Sequence, residues 1–207
     1  MSAPRLHADG AGWIEVVTGC MFSGKTEELI RRLVRARIGR QSVIVFKPAV
    51  DTRYAVEHIV THADVRLSCL PITRAHEILD RVSDAEVVGI DEAQFFDAEL
   101  VAVCNRLADA GKRVIVAGLD QDYQGRPFEP IPQLLAVAEY ITKNLAVCMV
   151  CGGPADRSQR LVAADDRVLL GAKDRYEARC RAHWSPEPIA AQGDLPFVGE
   201  AARFTEG

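Results

Sequence analysis

Runs of consecutive β-branched residues alternate with amphipathic stretches through the first two-thirds of the chain. Trp13-Ile14-Glu15-Val16-Val17-Thr18 predicts a strand, and Gly19 to Gly24 a glycine-bounded loop. Lys25 to Ile38 predicts a helix, because Leu29, Ile30, Leu33, Val34 and Ile38 recur at helical spacing. Glu27 and Glu28 open this helix and Arg31, Arg32, Arg35 and Arg37 fill its later turns, which complements the helix dipole. Val43, Ile44 and Val45 run consecutively and predict a short buried strand over Ser42 to Phe46. Lys47 to Asp64 is polar and irregular and reads as a functional loop. Beyond it the pattern predicts a strand at Val65 to Leu70, a helix at Thr73 to Val82 and a buried strand at Glu86 to Ile90. A helix at Ala98 to Ala110 and a strand at Arg113 to Ala117 complete the series. Buried Val/Ile runs separated by amphipathic helices indicate an α/β fold with a parallel sheet covered on both faces.

The pattern changes near Leu145, where short strands, Gly152-Gly153-Pro154 and paired Cys/His positions take over. From Ser185 onward Pro186, Pro188, Gly193, Pro196 and Gly199 break any periodicity, as in a mobile tail. The expected organisation is a nucleotide-binding region over 1–144, a smaller metal-binding region over 145–184 and a tail over 185–207. The chain has 207 residues, enough for one ordinary domain with a small appendage. Against 25 Lys plus Arg stand 29 Asp plus Glu, and the net charge of −4 argues against a protein that holds nucleic acid by neutralising phosphates. No run approaches the roughly 20 apolar residues of a membrane span. Met1 to Gly12 lacks the apolar core of a signal peptide, so the expected compartment is the cytoplasm, with no membrane partner. Cys20, Cys69 and Cys104 are scattered as buried hydrophobes would be, while Cys148, Cys151 and Cys180 cluster late.

Three motifs carry chemistry. Gly19-Cys20-Met21-Phe22-Ser23-Gly24-Lys25-Thr26 has the G-x4-G-K-[ST] spacing of a phosphate-binding loop between a predicted strand and a helix. In such a loop backbone N–H groups curl around phosphates, Lys25 reaches the β- and γ-phosphates, and the Thr26 hydroxyl ligates Mg²⁺. Asp91 and Glu92 end the buried run Val87-Val88-Gly89-Ile90, where such a protein needs a second Mg²⁺ contact and a group to accept a hydroxyl proton or orient water. Cys148-x2-Cys151 and Cys180-x2-His183, 28 residues apart, supply four ligands as tetrahedral Zn²⁺ requires. A redox Cys-x-x-Cys leaves the second pair unexplained. Four ligands leave no open position, which indicates a structural metal. His7, His58, His62 and His76 have no comparable spacing.

Together with Asp91-Glu92-Ala93-Gln94-Phe95-Phe96, Leu119-Asp120 and Tyr176-Glu177-Ala178-Arg179-Cys180, these motifs resemble the type II thymidine kinases, in order from about residue 13 to 184. The resemblance implies ATP-dependent phosphorylation of thymidine or deoxyuridine at the 5′-hydroxyl, in nucleotide salvage, by a homotetramer. It implies Glu92 as general base and Asp91 at Mg²⁺. Nucleotide contacts are implied for Gly19 through Thr26, for Asp51-Thr52-Arg53 and for Gln94, with Arg53 neutralising charge on the moving phosphoryl group. Met21, Phe95, Leu119, Tyr123 and Phe128 match the pyrimidine pocket. Ser158, Arg167, Val168, Leu169, Leu170, Gly171 and Tyr176 belong to a segment matching the lasso loop over the base. The chain departs from the family at Cys20, often proline, at Gly171-Ala172-Lys173-Asp174, commonly a double glycine, and at His183, commonly a fourth cysteine. Two rival readings use the same motifs: a P-loop ATPase coupling hydrolysis to motion, and a zinc ribbon binding nucleic acid through Arg157, Arg160, Arg167, Lys173, Arg175, Arg179 and Arg181.

Overall fold

The computed structural model describes residues 10–49, 58–60, 66–162 and 175–188, with backbone alone at 58–60 and Arg66. Six strands form one parallel sheet: β1 (Trp13–Thr18), β2 (Val43–Pro48), β5 (Leu70–Ile72), β6 (Val87–Ile90), β7 (Arg113–Gly118) and β8 (Tyr140–Lys143), in the order β5-β2-β6-β7-β1-β8. A separate antiparallel pair joins β3 (His58–Val60) to β4 (Arg66–Ser68). The sheet separates two apolar layers because successive side chains alternate between its faces. Val17, Ile115 and Ala117 meet Leu29, Ile30, Leu33 and Ala36 of α1 (Lys25–Ile38) on one face. Ile14, Val16, Val114 and Val116 lie on the other, with α2 (Glu77–Arg81), α3 (Glu99–Asp109) and α4 (Ile131–Val137). The parallel, helix-covered α/β core is the one predicted. No helix among the described residues is long and apolar enough to cross a membrane.

Several boundaries differ from the predicted ones. The strand expected at Val65 to Leu70 is two short strands, β4 and β5, and the helix expected from Thr73 is confined to Glu77–Arg81. The Glu77 carboxylate accepts hydrogen bonds from the Thr73 and Arg74 backbone N–H groups, so the preceding turn ends on a side-chain cap rather than continuing the helix. Ile38, assigned to the apolar stripe of α1, is 77% exposed, and Ala36 takes the buried position instead.

A carboxylate sits inside the first strand. Glu15 is 3% exposed and accepts from Arg113 Nε at 2.6 Å, Arg32 Nη1 at 2.7 Å and Trp13 Nε1 at 2.8 Å. Arg32 thus joins sheet to helix, and the arginines of α1 include one half-buried ion-pair partner rather than a uniform basic face. Burial raises the Glu15 pKa, but hydrogen bonds from Arg113 and Trp13 and the charges of both arginines outweigh it, holding the carboxyl below its ordinary 4.5. The resulting stabilisation is complete above that value and is lost as pH falls through the lower folded value, where the native carboxylate takes up its proton. We expect Glu15→Gln to cost about 3 kcal/mol at neutral pH, because the buried Arg113 guanidinium loses its counter-charge, while Arg32 keeps Glu28. Urea midpoints should also show a smaller acid-dependent loss in the variant than in the wild type; an unchanged neutral midpoint would refute the assignment.

The smaller C-terminal region is built from two antiparallel pairs. β9 (Ala146–Val147) pairs with β10 (Pro154–Ala155), and β11 (Arg157–Arg160) with β12 (Tyr176–Arg179). Its small core of Ala146, Cys148, Ala155 and Ala178 also includes Cys20 from the loop after β1. Ordered chain continues past Trp184: Ser185 N donates to Gln159 Oε1 at 2.8 Å, and Gln159 Nε2 donates to Glu187 O at 3.0 Å. The rest of the expected tail, 189–207, lies outside the described residues.

Candidate active site and metal centre

All six strands of the sheet run parallel, so their C-terminal ends share one edge, where loops meet in a crevice. The loop after β1 is shaped by two glycines. Gly24 takes φ 76° immediately before α1, and at Gly19 a Cβ would come within 2.2 Å of Asn144 O. Asn144 Nδ2 in turn donates to Gly24 O at 3.3 Å, bracing the loop from the end of β8. The loop carries features suited to a phosphate. Ser23 Oγ is buried with no hydrogen-bond partner among the described residues, and Lys25 Nζ folds back onto Cys20 O at 2.7 Å. Burial lowers the Lys25 pKa from its usual value, against the opposing charges of Glu92, Cys20, Asp91 and Asp120. A phosphate chain would give that cation a full counter-charge.

Thr26 Oγ1 lies 3.2 Å from both carboxylate oxygens of Asp91, which follows β6. Burial, and then the neighbouring Glu92 carboxylate, push the Asp91 carboxyl up to about 7. A hydroxyl and a buried carboxyl converging beside a second acid form an oxygen donor set that fits a hard divalent cation such as Mg²⁺. Asp120, after β7, bonds Lys143 Nζ at 2.8 Å and has its other buried oxygen unpartnered among the described residues.

Glu92 occupies the left-handed region, with φ 50° and ψ 41°, which costs a non-glycine residue roughly 1–2 kcal/mol. The single 3-10 turn Ala93–Phe95 follows directly. Gln94, expected at the nucleotide, donates from its buried amide to Glu92 Oε2 at 2.5 Å and accepts from Leu119 N at 3.0 Å.

The residues expected around a pyrimidine come from separate elements. Phe95 and Phe128 meet edge-to-face, with centroids 6.2 Å apart. Met21 N donates to Ser158 Oγ at 3.0 Å, so the phosphate loop touches β11 directly. Sequence reasoning had no signal for the group behind Tyr123 and Tyr176. Arg160, fully buried, lies 3.6 Å from the Tyr123 ring centroid and 5.5 Å from that of Tyr176, and donates from Nη2 to the Tyr176 hydroxyl at 2.8 Å. Such a desolvated cation–aromatic arrangement fixes both rings. Arg157 is likewise buried, 5.5 Å from the Trp184 ring centroid. Two of the seven basic residues counted toward a nucleic-acid surface, Arg157 and Arg160, are therefore buried. Asp51, Thr52 and Arg53, together with Arg167, Val168, Leu169, Leu170 and Gly171, lie outside the described residues.

Cys148, Cys151, Cys180 and His183 come together as the spacing predicted, with ligand atoms all within 4.8 Å of one another. Cys180 Sγ is 3.2 Å from His183 Nδ1, Cys148 Sγ is 3.7 Å from the same nitrogen, and Cys151 Sγ is 3.9 Å from Cys180 Sγ. Tetrahedral Zn²⁺, with bonds of about 2.3 Å to sulfur and about 2.0 Å to nitrogen, separates its ligand atoms by roughly 3.5–3.8 Å. The four groups fit that ion. Burial raises the Cys148 thiol pKa, but N–H groups of Cys180, Val150 and Cys151 and the His183 ring more than offset it, bringing the thiol down to about 6. That thiol is accordingly predisposed to the thiolate form a metal needs.

A family model described as Thymidine kinase matches residues 12–184. The thymidine kinase of Rhodothermus sp. (strain ITI 518) is 60% identical over 196 residues, covering 95% of this chain and 92% of the relative. The thymidine kinase of Bdellovibrio bacteriovorus (strain ATCC 15356 / DSM 50701 / NCIMB 9529 / HD100) is 55% identical over 190 residues, covering 91% and 93%. The chain belongs to the thymidine kinase family and is a phosphotransferase.

Proposed function

Taking membership of that family as the premise, we propose that the protein transfers the γ-phosphoryl group of ATP to the 5′-hydroxyl of thymidine, and of deoxyuridine, to supply DNA precursors by salvage. The observation that most directly supports this reading is the convergence of Thr26, Asp91 and Glu92 at one edge of the sheet. The 5′-oxygen attacks the γ-phosphorus while its bond to the β–γ bridging oxygen breaks. The hydroxyl proton passes to Glu92, and ADP departs with the bridging oxygen. The Gly19–Thr26 loop and Lys25 hold the phosphates, and Arg53 offsets charge on the transferring group. Thr26 and Asp91 hold Mg²⁺, which supplies charge neutralisation on the phosphate oxygens. Met21, Phe95, Leu119, Tyr123, Phe128 and Tyr176 enclose the base, and Ser158 with the Arg167 to Gly171 segment completes the recognition.

Zn²⁺ at Cys148, Cys151, Cys180 and His183 is structural in this reading. Residues 1–144 form the nucleotide-binding region, 145–184 the metal-anchored lid region, and 185–207 a C-terminal extension. The working form is a cytoplasmic homotetramer, a compartment that suits six cysteines with no disulfide among the described residues. Incubation with γ-labelled ATP and a panel of nucleosides tests the activity. Labelled thymidine and deoxyuridine monophosphates are the expected products. Release of inorganic phosphate without nucleoside dependence, and with no labelled nucleotide, would favour the ATPase reading instead.

A further inference from the structure

Gln94 is 3% exposed, and both ends of its amide are engaged. The orientation of that amide is fixed by chemistry. A backbone N–H can only donate, so the group facing Leu119 N at 3.0 Å is the carbonyl oxygen Oε1. The NH₂ must then face Glu92 Oε2, 2.5 Å away. It donates to a carboxylate acceptor, a charge-assisted bond of the stronger class. The residue that receives it is held in the left-handed region at φ 50°. A carboxylate on a strained turn needs an external restraint to keep one direction. Gln94 belongs to the 3-10 turn immediately after Glu92, and it reaches across to the end of β7 at Leu119. One side chain thus ties the carboxylate to the backbone of an expected nucleoside wall.

We infer that Gln94 is a positioning residue for the reaction, aiming the Glu92 carboxylate at the nucleoside hydroxyl and linking that aim to the Leu119 segment of the nucleoside pocket. This rests on Glu92 being the proton acceptor. Gln94 itself contacts neither phosphate nor nucleoside in this scheme. Its bond to Glu92 and its anchor on Leu119 make it a brace, and its loss should act on turnover through Glu92.

The test is a double-mutant cycle on the full-length protein, using Glu92→Gln, Gln94→Met and their combination. Gln94→Met keeps the volume and removes both hydrogen bonds. It should lower kcat by roughly tenfold or more while KM for ATP and thymidine changes by less than about threefold. In the Glu92→Gln background the same change should cost no more than about twofold, because the carboxylate it serves is already gone. Gln94→Glu guards against misfolding. It is isosteric and keeps an acceptor for Leu119 N, but it places an acceptor where Glu92 needs a donor, and it should lower kcat at least as far as Gln94→Met. Multiplicative losses in the combined variant, or near wild-type kcat in Gln94→Glu, would overturn the inference. Wild-type kcat in Glu92→Gln alone would instead remove the general-base reading beneath it.

Discussion

Glu92→Gln is expected to lower kcat by roughly 10²-fold or more while ATP and thymidine still bind, since a positioned general base contributes about 10²–10⁴-fold. The substitution is nearly isosteric, and the new amide oxygen still accepts from Gln94 Nε2, so the left-handed turn at φ 50° keeps its restraint. What disappears is the capacity to take the hydroxyl proton in the transition state. No described neighbour replaces it well. Asp91 is nearest in sequence, but it is buried and engaged with Thr26 at 3.2 Å, where the proposed Mg²⁺ site would occupy it. The loss should therefore fall on kcat, with both KM values close to wild type, and steady-state kinetics with a direct ATP-binding measurement will separate the two. A variant turning over near the wild-type rate would exclude Glu92 from proton transfer.

The parts of this molecule that were legible in the sequence are those fixed by local pattern. Val87 to Ile90 and Arg113 to Gly118 are buried along their whole length, so a continuous apolar run reports them faithfully. The phosphate loop and the Cys/His pairs depend on fixed spacing, which survives without knowledge of the fold. Other elements gave a weaker signal for identifiable reasons. β8 lies at the sheet edge with Tyr140 and Ile141 largely exposed, so it carries no buried run. α4 spans seven residues, too few for a helical period to stand out. Glu15 and Arg160 are charged residues in buried strands, and their partners, Arg32, Arg113, Tyr123 and Tyr176, are distant in sequence. Such pairings exist only once the chain is folded. Cys20 is the same case. Its scattered position indicated a buried hydrophobe, but only the fold sets it in the metal region's core, with its thiol 3.4 Å from Ala155 O.

Disrupting the metal centre should impair thymidine recognition more than ATP recognition, although no ligand of the metal lies in the nucleoside pocket. Cys151→Ser replaces a sulfur ligand by a weaker one, and stoichiometric zinc, expected at one per chain, should fall in elemental analysis. Two routes lead from the metal to the substrates. His183 is followed by Trp184, whose Nε1 donates to Tyr123 O at 3.2 Å and whose ring would meet a Cβ at Gly125 within 2.9 Å. Cys180 directly follows β12, which carries Tyr176 and pairs with β11, where Arg160 packs against both tyrosine rings. These two connections make up the first route, which reaches Tyr123 and Tyr176, two expected walls of the nucleoside pocket, through short, directional contacts. The second route runs from Cys148 to Cys20 through a small apolar core. It ends on a phosphate loop that is independently held by Asn144 and by Gly24 O, which accepts from Glu28 N at 3.0 Å. The first route should therefore dominate. Closing the chain between β11 and β12 also becomes costlier once the metal no longer holds the returning strand. We expect KM for thymidine to rise by about tenfold or more, equivalent to about 1.4 kcal/mol, with a smaller change for ATP. Equal KM shifts for both substrates would place the metal's influence in general stability. An unchanged KM for thymidine in protein shown to have lost its zinc would sever the metal from the nucleoside pocket.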